Sequence, residues 1–300
     1  MKKTKQLIKK LYLTIQRAKI PRFLHRYGPK KYTTRQHLIC VFLKQKLKLS
    51  WRELLELLPY FGITEVPDHS TLVKFCKRMT ALLWTTLLQL SAIADSCLLG
   101  AIDSTGLSKS YASRYFVKRI DRKEPVNSYV KLSFYTDLVR RKILSLRMRI
   151  KHAHDIKDTR YLVGHSPVLA QTNLMDKAYD CEGLHAFFRE KGVLSIVPTK
   201  KNCRKGLYRK QLKNCFPQKI YNKRSIAESV NGAYKRKYGD TVMCRKFASI
   251  RCEVYARAIL FNLFSLLVKR LFHQSHRSEN VYKLLIDICI KRRLFGAESH

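Results

Sequence analysis

The chain has 300 residues, 46% of them hydrophobic, with 61 Lys and Arg against 21 Asp and Glu and a formal net charge of +40. This length and apolar content suffice for a buried core and argue against a disordered chain. Because so large a positive charge destabilises a compact protein unless a polyanion compensates it, nucleic acid is the expected partner.

Membrane attachment is the other common use of positive charge, and the sequence argues against it. The apolar run 258–268 is too short to span a bilayer and has Arg257 and Lys269 at its ends, so it predicts a core helix. Residues 1–31 carry eleven Lys and Arg and no acid, without the apolar segment and cleavage site of a signal peptide. The nine cysteines include no C-x-x-C pair, which predicts reduced, mostly buried thiols in a cytoplasmic protein and no structural zinc.

The pattern of residues 1–95 predicts a basic arm followed by a small helical domain. Thr33 or Thr34 is expected to cap a first helix, and a second helix, spaced on Trp51 and Leu54, stops at Pro59. A third helix, capped by Asp68 or Ser70, has a predicted buried stripe of six residues: Leu72, Phe75, Cys76, Met79, Leu82 and Leu83. Its outer face is basic, with Lys74, Lys77 and Arg78.

Such a set of helices fits a DNA-binding module of the helix-turn-helix kind, with Lys74, Lys77 and Arg78 contacting DNA. The connection between the second and third helices is about eleven residues, which is longer than the tight motif uses. A plain helical bundle therefore remains an alternative.

Residues 96–272 predict an α/β domain with the order β-β-β-α-β-α-β-α. Strands are expected at LLGAIDST, with Asp103 near its end, at YVKLSFYT, at KILSLRMRI, at TNLMDKAY, ending at Asp176, and at VLSIVP. In the third strand the alternation predicts Leu144, Leu146, Met148 and Ile150 inward and Ser145, Arg147 and Arg149 outward. A helix follows at Glu182 and closes at Gly192, a long helix spans 250–272, and a last one contains Val281 and Cys289 in a tail at 273–300.

The segment Tyr221–Lys235 contains one acid, Glu228, among cations. On a single helix, offsets of 3, 7 and 14 residues from Tyr221 place Tyr221, Arg224, Glu228 and Lys235 on nearly one stripe. A carboxylate beside cations suits a metal-bound phosphate. An ordinary solvated face with an Arg–Glu pair explains the same residues.

Three acids fall at comparable places in this predicted layer. Asp103 and Asp176 each follow an apolar strand, and they lie 73 residues apart, with Glu228 52 residues farther on. If the first and fourth strands are neighbours, the two Asp side chains lie side by side, and three clustered carboxylates need a cation. Oxygen ligands without Cys or His select Mg²⁺ or Mn²⁺, and two such ions can promote phosphodiester chemistry.

Each acid also has an ordinary explanation. Asp103 could cap a turn before Ser104, and Asp176 could pair with Lys177 at the surface. The competing acids nearby are Asp155 and Asp158, and Asp180 and Glu182, which are expected only at helix starts.

Three stretches resemble the DDE transposases of insertion sequences, in the branch with the YREK signature. They are AIDSTGL around Asp103, LMDKAYDCEGLHAFFREKGVLSIVPTKKN around Asp176, and the spaced set Y-x2-R-x3-E-x6-K from Tyr221 to Lys235. PDHSTLVKF resembles a segment that precedes their catalytic domain. The resemblance covers roughly residues 30–270. One departure is Ala178, where many relatives have Gly.

This resemblance implies an RNase H-like catalytic fold and a triad of Asp103, Asp176 and Glu228 that binds two Mg²⁺. It implies that Tyr221, Arg224 and Lys235 contact DNA phosphates near the cut, and that the protein binds the terminal inverted repeats of its element, as a homodimer on DNA. Some relatives carry a β insertion before the Glu helix, where this chain has only a basic segment at 200–220. The alternatives are an inactive or domesticated DNA-binding copy and another RNase H-like nuclease.

Overall fold

A computed structural model describes residues 2–269, except 28, 62–64, 94, 110–128, 152, 202 and 204. The predicted tail at 273–300, with its amphipathic helix around Val281 and Cys289, lies outside the described residues.

Five helices precede the sheet: α1 (Lys2–Arg17), α2 (Thr34–Leu47), α3 (Trp51–Leu57), α4 (His69–Arg78) and α5 (Ala81–Ser91). Among the described residues of the basic arm, only Lys2–Arg17 are helical, and the apolar face of α1 is buried through Leu7, Leu11 and Ile15. The caps predicted at Thr33 and Asp68 are confirmed, and Ser50 is a further cap that was not predicted. Thr33 and Ser50 form capping boxes with Gln36 and Glu53, and Asp68 accepts a hydrogen bond from the Ser70 amide at 2.8 Å.

The stripe predicted for the third helix is correct as far as Met79 and wrong beyond it. The helix α4 ends at Arg78 because Met79 is extended, and Thr80 then caps a separate helix, α5. Leu82 consequently points into solvent with 72% of its surface exposed. Leu72, Phe75, Cys76 and Met79 are buried as predicted, and Lys74, Lys77 and Arg78 are exposed on the opposite face.

The sheet is mixed and contains six strands: β1 (Cys97–Lys109), β2 (Tyr129–Asp137), β3 (Lys142–Arg149), β4 (Ala170–Met175), β5 (Leu194–Ile196) and β6 (Thr241–Val242). Five of them lie in the order β3-β2-β1-β4-β5, and β6 pairs with the far end of β1. The first three strands form the predicted antiparallel meander, and β4, β5 and β6 run parallel to β1 or to each other. The short β6 was not predicted, because two residues carry no periodicity.

Helices cover both faces of the sheet, as predicted for an α/β layer. One face carries α6 (Ile156–Gly164) and α7 (Glu182–Glu190). Leu184 and Phe188 of α7 pack near Ile102. The helix ends shortly before Gly192, whose φ is +66°. The other face carries α10 (Ser225–Tyr238) and α11 (Phe247–Lys269), preceded in the chain by α8 (Leu207–Asn214) and α9 (Gln218–Tyr221).

Because helices cover both faces of the sheet, the prediction of which β3 side chains point outward is wrong for Ser145. Ser145 was expected outward, yet it is 1% exposed and donates a hydrogen bond to the Leu162 carbonyl of α6 at 2.7 Å. The pairing register shifts at Tyr135/Thr136, so Ile143 and Leu146 pack on one face while Leu144 packs on the other.

The long helix α11 contacts both the N-terminal helices and the sheet. It packs on α2, α4 and α5 as well as on β3, and one hydrophobic cluster contains residues of both the N-terminal helices and the sheet, among them Leu38, Trp84, Phe134 and Tyr255. The described part of the chain contains no helix that is long and apolar enough to cross a membrane.

A buried ion pair on α11 joins three parts of the chain. The Arg257 guanidinium pairs with Glu253, and both side chains are almost completely buried. Arg257 also donates to the Gln45 side chain of α2 at 3.1 Å and to the Thr241 carbonyl of β6 at 2.8 Å. Glu253 accepts hydrogen bonds from the backbone amides of residues 243 and 244 at 3.2 Å. The pair therefore fixes α11 against α2 and β6.

Of the nine cysteines, eight lie in the described residues, and none of these eight forms a disulfide. Five of the eight are buried, namely Cys40, Cys76, Cys97, Cys203 and Cys252, as the prediction of mostly buried thiols requires.

Candidate active site

Asp103 lies in the middle of β1, and the prediction that it ends the strand is wrong. The strand continues to Lys109 because β2 pairs with it along its other side as far as Ser108. The parallel partner β4 stops at the pair Ile102–Met175, and β6 begins pairing only at Ser108. Asp103 therefore stands at the start of a break between β4 and β6, where the described chain places no strand on this edge of β1, opposite β2.

Asp176 immediately follows the last residue of β4, and the predicted adjacency of the two Asp residues is confirmed at the backbone level. Since Ile102 is the partner of Met175, the next residues on the two parallel strands are Asp103 and Asp176. Neighbouring strands lie about 4.8 Å apart. Residues two apart on a strand point to the same face of the sheet, so Asp103 shares the face of Ala101 and Asp176 shares the face of Leu174. Because Ala101 and Leu174 belong to one hydrophobic cluster, both acids lie on the same face.

Glu228 reaches this face from the first turn of α10. The predicted single helix from Tyr221 is interrupted, because a 3₁₀ turn at Asn222–Arg224 separates α9 from α10. The interruption keeps Tyr221 and Arg224 together, with the Arg224 guanidinium 6.0 Å from the centre of the Tyr221 ring. Arg224 also forms an ion pair with Glu228. Lys235 is half-buried two turns farther along α10.

The charges link Asp103 and Tyr221 to Arg224, Asp176 and Glu228. Burial raises the pKa of Asp103, and the negative charges of Glu228 and Asp176 raise it further, whereas Arg224 lowers it. Burial also raises the pKa of Tyr221, with contributions from Asp176 and Glu228. Asp103 therefore lies within electrostatic reach of both other acids of the predicted triad.

Asn231 belongs to the site and was not predicted. Its Nδ2 donates a hydrogen bond to Asp103 Oδ2 at 2.8 Å, and its Oδ1 is buried with no partner among the described residues. This bond ties α10 to β1. The signal available in the sequence was its position three residues after Glu228, which places both side chains on neighbouring parts of one helix.

The competing acids near the site have structural roles that sequence reasoning missed. Asp158, expected only at a helix start, is 1% exposed and pairs with Arg149 at 2.6 Å and Arg147 at 3.2 Å. It also accepts a hydrogen bond from Ser133 at 3.0 Å, beneath β2. Asp155 lies at the start of α6, as predicted, and its side chain pairs with Lys131.

Asp180 and Glu182 bind the basic segment 200–220. Arg209 donates to both carboxylate oxygens of Asp180 at 2.7 and 2.8 Å, and the Lys200 amide donates at 2.8 Å. Burial raises the pKa of Asp180, but Arg209 and the Lys200 amide hold it below its usual value. Glu182 accepts from the amides of Tyr208 and Arg209 and so caps the start of α8. A purely helix-start role for Asp180 is therefore wrong.

The donor set of the three acids fits a hard divalent cation, since it consists of carboxylates without Cys or His. Burial is the main cause of the raised pKa of Asp103, and Glu228 and Asp176 add a smaller repulsion that such a cation would relieve. Among the described residues, however, no three His, Cys, Asp or Glu side chains approach closely enough to form a metal site as they stand. Arg224 pairs with Glu228, Asn231 donates a hydrogen bond to Asp103, and the Lys177 amide donates one to Asp176.

Comparison with protein families decides the class of this protein. A family model described as a transposase DDE domain matches residues 98–263, more than half of the chain. The chain belongs to the DDE transposase family. The matched region begins at β1 and ends within α11, so it contains the whole sheet and all three acids. A comparison with curated proteins gave no match.

Family membership confirms the predicted transposase class and the predicted RNase H-like α/β fold, with its mixed sheet, flanking helices and preceding helical region. The assignment to the YREK branch stays a prediction. A DDE transposase acts on DNA, in keeping with the charge of +40.

Proposed function

We propose that this transposase binds the terminal inverted repeats of an insertion sequence and catalyses metal-dependent DNA cleavage and strand transfer, in the cytoplasm and as a homodimer on DNA. Asp103, Asp176 and Glu228 are the catalytic acids and the metal ligands. The observation that carries the proposal is the convergence of these three acids on one face of the sheet, where Asp103 responds to the charges of the other two.

The residues of the site have separable tasks. Asp103 and Asp176 are held by the backbone of neighbouring strands, and Asp176 also accepts a hydrogen bond from the Lys177 amide at 2.7 Å, which fixes its orientation. Asn231 fixes Asp103. Tyr221, Arg224 and Lys235 contact the DNA phosphates beside the cut bond, since a phenol, a guanidinium and an ammonium all donate hydrogen bonds to phosphate oxygens.

Mg²⁺ or Mn²⁺, two ions per site, supplies the activation of the attacking oxygen and the stabilisation of the leaving oxygen when it is bound. The successive nucleophiles are water and the freed 3′ hydroxyl, so none of the protein's side chains has to form a covalent bond with DNA.

The direct test is cleavage of a labelled duplex that carries the end of the element. We expect cleavage with Mg²⁺ or Mn²⁺, none after chelation with EDTA, and recovery when the metal is restored. Because chelation leaves the Lys and Arg side chains charged, duplex binding measured in parallel should persist. Cleavage that continues at full rate in EDTA would exclude the proposed chemistry.

We further propose that the exposed face of α4 contacts DNA through Lys74, Lys77 and Arg78. Replacing all three with Ala should weaken duplex binding and should also flatten its dependence on salt. Each phosphate contact contributes about −0.9 to the slope of log K against log salt concentration, so the loss of three contacts should make the slope shallower by roughly 2–3. Affinity measured by fluorescence anisotropy over a series of salt concentrations gives both quantities.

The control removes the same charge from the other side of the molecule. Lys151, Lys157 and Lys191 are exposed, and the last two lie on or beside α6 and α7, which cover the opposite face of the sheet. Replacing these three with Ala should change the slope by less than about one unit. An equal effect of the two triple variants would show that α4 acts only through net charge.

A further inference from the structure

The ion pair between Arg224 and Glu228 engages one of the three acids proposed to bind metal. Arg224 Nη2 donates to Glu228 Oε1. Burial lowers the pKa of Arg224, but Tyr221, Glu228 and Asp103 together raise it above its usual value, so the guanidinium responds to two acids of the triad at once. A positive group of the protein itself is thus their counter-ion.

The two partners differ in how firmly the fold holds them. The Arg224 side chain is 22% exposed and packs beside the Tyr221 ring, whereas the Glu228 side chain is 55% exposed. An exposed pair of this kind is weak and exchanges partners readily. A guanidinium binds phosphate through two parallel hydrogen bonds, which makes phosphate a strong competitor for it.

We propose that Arg224 and the divalent metal compete for Glu228, and that a DNA phosphate releases the carboxylate to the metal by binding the guanidinium. The inference rests on the proposed function, in which Glu228 is a metal ligand. Metal binding is then coupled to DNA binding: the third ligand becomes available only when DNA is in place. By thermodynamic linkage, the metal strengthens DNA binding by the same factor.

The test measures Mn²⁺ binding by the DNA-free, full-length protein, with electron paramagnetic resonance of the free ion as the readout. Arg224→Gln should bind Mn²⁺ more tightly than the wild type, by roughly three- to tenfold, which corresponds to the loss of one competing, partly exposed ion pair. In the Glu228→Gln background the same Arg224→Gln change should give no gain, because the competition has been removed with the carboxylate.

Loss of a positive charge near acids favours a cation by itself, so a matched control is needed. Arg236→Gln removes the same charge from the helix that carries Glu228, at an exposed residue eight positions or about 12 Å beyond Glu228. That distance exceeds the Debye length of about 8 Å at physiological salt, so the gain should be less than about twofold. Equal gains for Arg224→Gln and Arg236→Gln would overturn the competition, as would an Arg224→Gln protein that binds Mn²⁺ no more tightly than the wild type.

A second arm uses the unmodified protein. Saturating it with a duplex of about 30 base pairs at low salt should tighten Mn²⁺ binding more than the same duplex does for Arg224→Gln, because in the variant Glu228 is already free. A gain of the same size in both proteins would overturn the inference. If Glu228→Gln binds Mn²⁺ as tightly as the wild type, the proposed metal site itself is wrong, and this outcome is distinct from failure of the competition alone.

Discussion

Asp103→Asn, Asp176→Asn and Glu228→Gln should each abolish cleavage of the element end, with a loss of at least about a hundredfold. Each substitution keeps the shape of the side chain and removes the negative charge on which binding of a hard cation depends. Changes to groups that merely support metal ligands already cost about 10- to 100-fold, so loss of a ligand's charge should cost at least as much. Cleavage of a labelled duplex under single-turnover conditions measures the effect.

Duplex binding by the three variants should persist, because it depends on cations elsewhere in the protein. The control is Glu190→Gln, which removes the same charge from an exposed residue at the end of α7 and should cleave normally. Asp180 is unsuitable as a control because Arg209 and the Lys200 amide bind it. A folded triad variant that cleaved DNA at the wild-type rate would refute the assignment of that residue.

Glu253→Ala should lower the free energy of unfolding by about 3–5 kcal/mol, because removing one member of a buried ion pair leaves the other charge uncompensated. Here the substitution leaves the Arg257 guanidinium beneath α2 and deprives the amides of residues 243 and 244 of their acceptor. Urea unfolding followed by circular dichroism measures the change. The double variant Glu253→Leu, Arg257→Met should be more stable than Glu253→Ala, since it buries no unpaired charge.

The chain contains its own matched comparison for that experiment. Arg224 and Glu228 have the same i,i+4 spacing as Glu253 and Arg257, but the Glu228 side chain is 55% exposed and the Glu253 side chain 1% exposed. Glu228→Gln should therefore cost less than about 1 kcal/mol. Similar losses for Glu228→Gln and Glu253→Ala would mean that burial does not determine the value of these pairs.

The sequence was sufficient for features that depend on local pattern and connectivity. Thr33 and Asp68 mark helix starts through their own side chains, which is why these caps could be located. The strand predicted at YVKLSFYT is present as β2, and its alternating apolar residues Val130, Leu132 and Phe134 pack in one cluster. The adjacency of Asp103 and Asp176 followed from the order of strands, because a meander followed by a crossover helix allows β4 to lie beside β1.

Features that depend on tertiary neighbours could not be predicted in this way. Whether Ser145 faces solvent depends on α6, which covers its side of the sheet. The roles of Asp158 and Asp180 depend on which arginines fold against them, and these come from β3 and α8. Asn231 is a neutral residue with no pattern of its own, and only the packing of α10 on β1 reveals its bond to Asp103.

The hydrophobic cluster around α11 has a geometric consequence for a protein that must both recognise and cut DNA. Leu38 and Phe75 of the N-terminal helices, Phe134 of the sheet and Tyr234 of the helix that carries Glu228 belong to the same cluster. A close-packed interior resists relative movement of its parts, unlike a pair of domains joined by a linker. The span from the basic face of α4 to Asp103 is therefore a fixed length of the molecule. Under the proposed function, this length sets the distance along the duplex between the phosphates that α4 contacts and the phosphodiester bond that the acids cut.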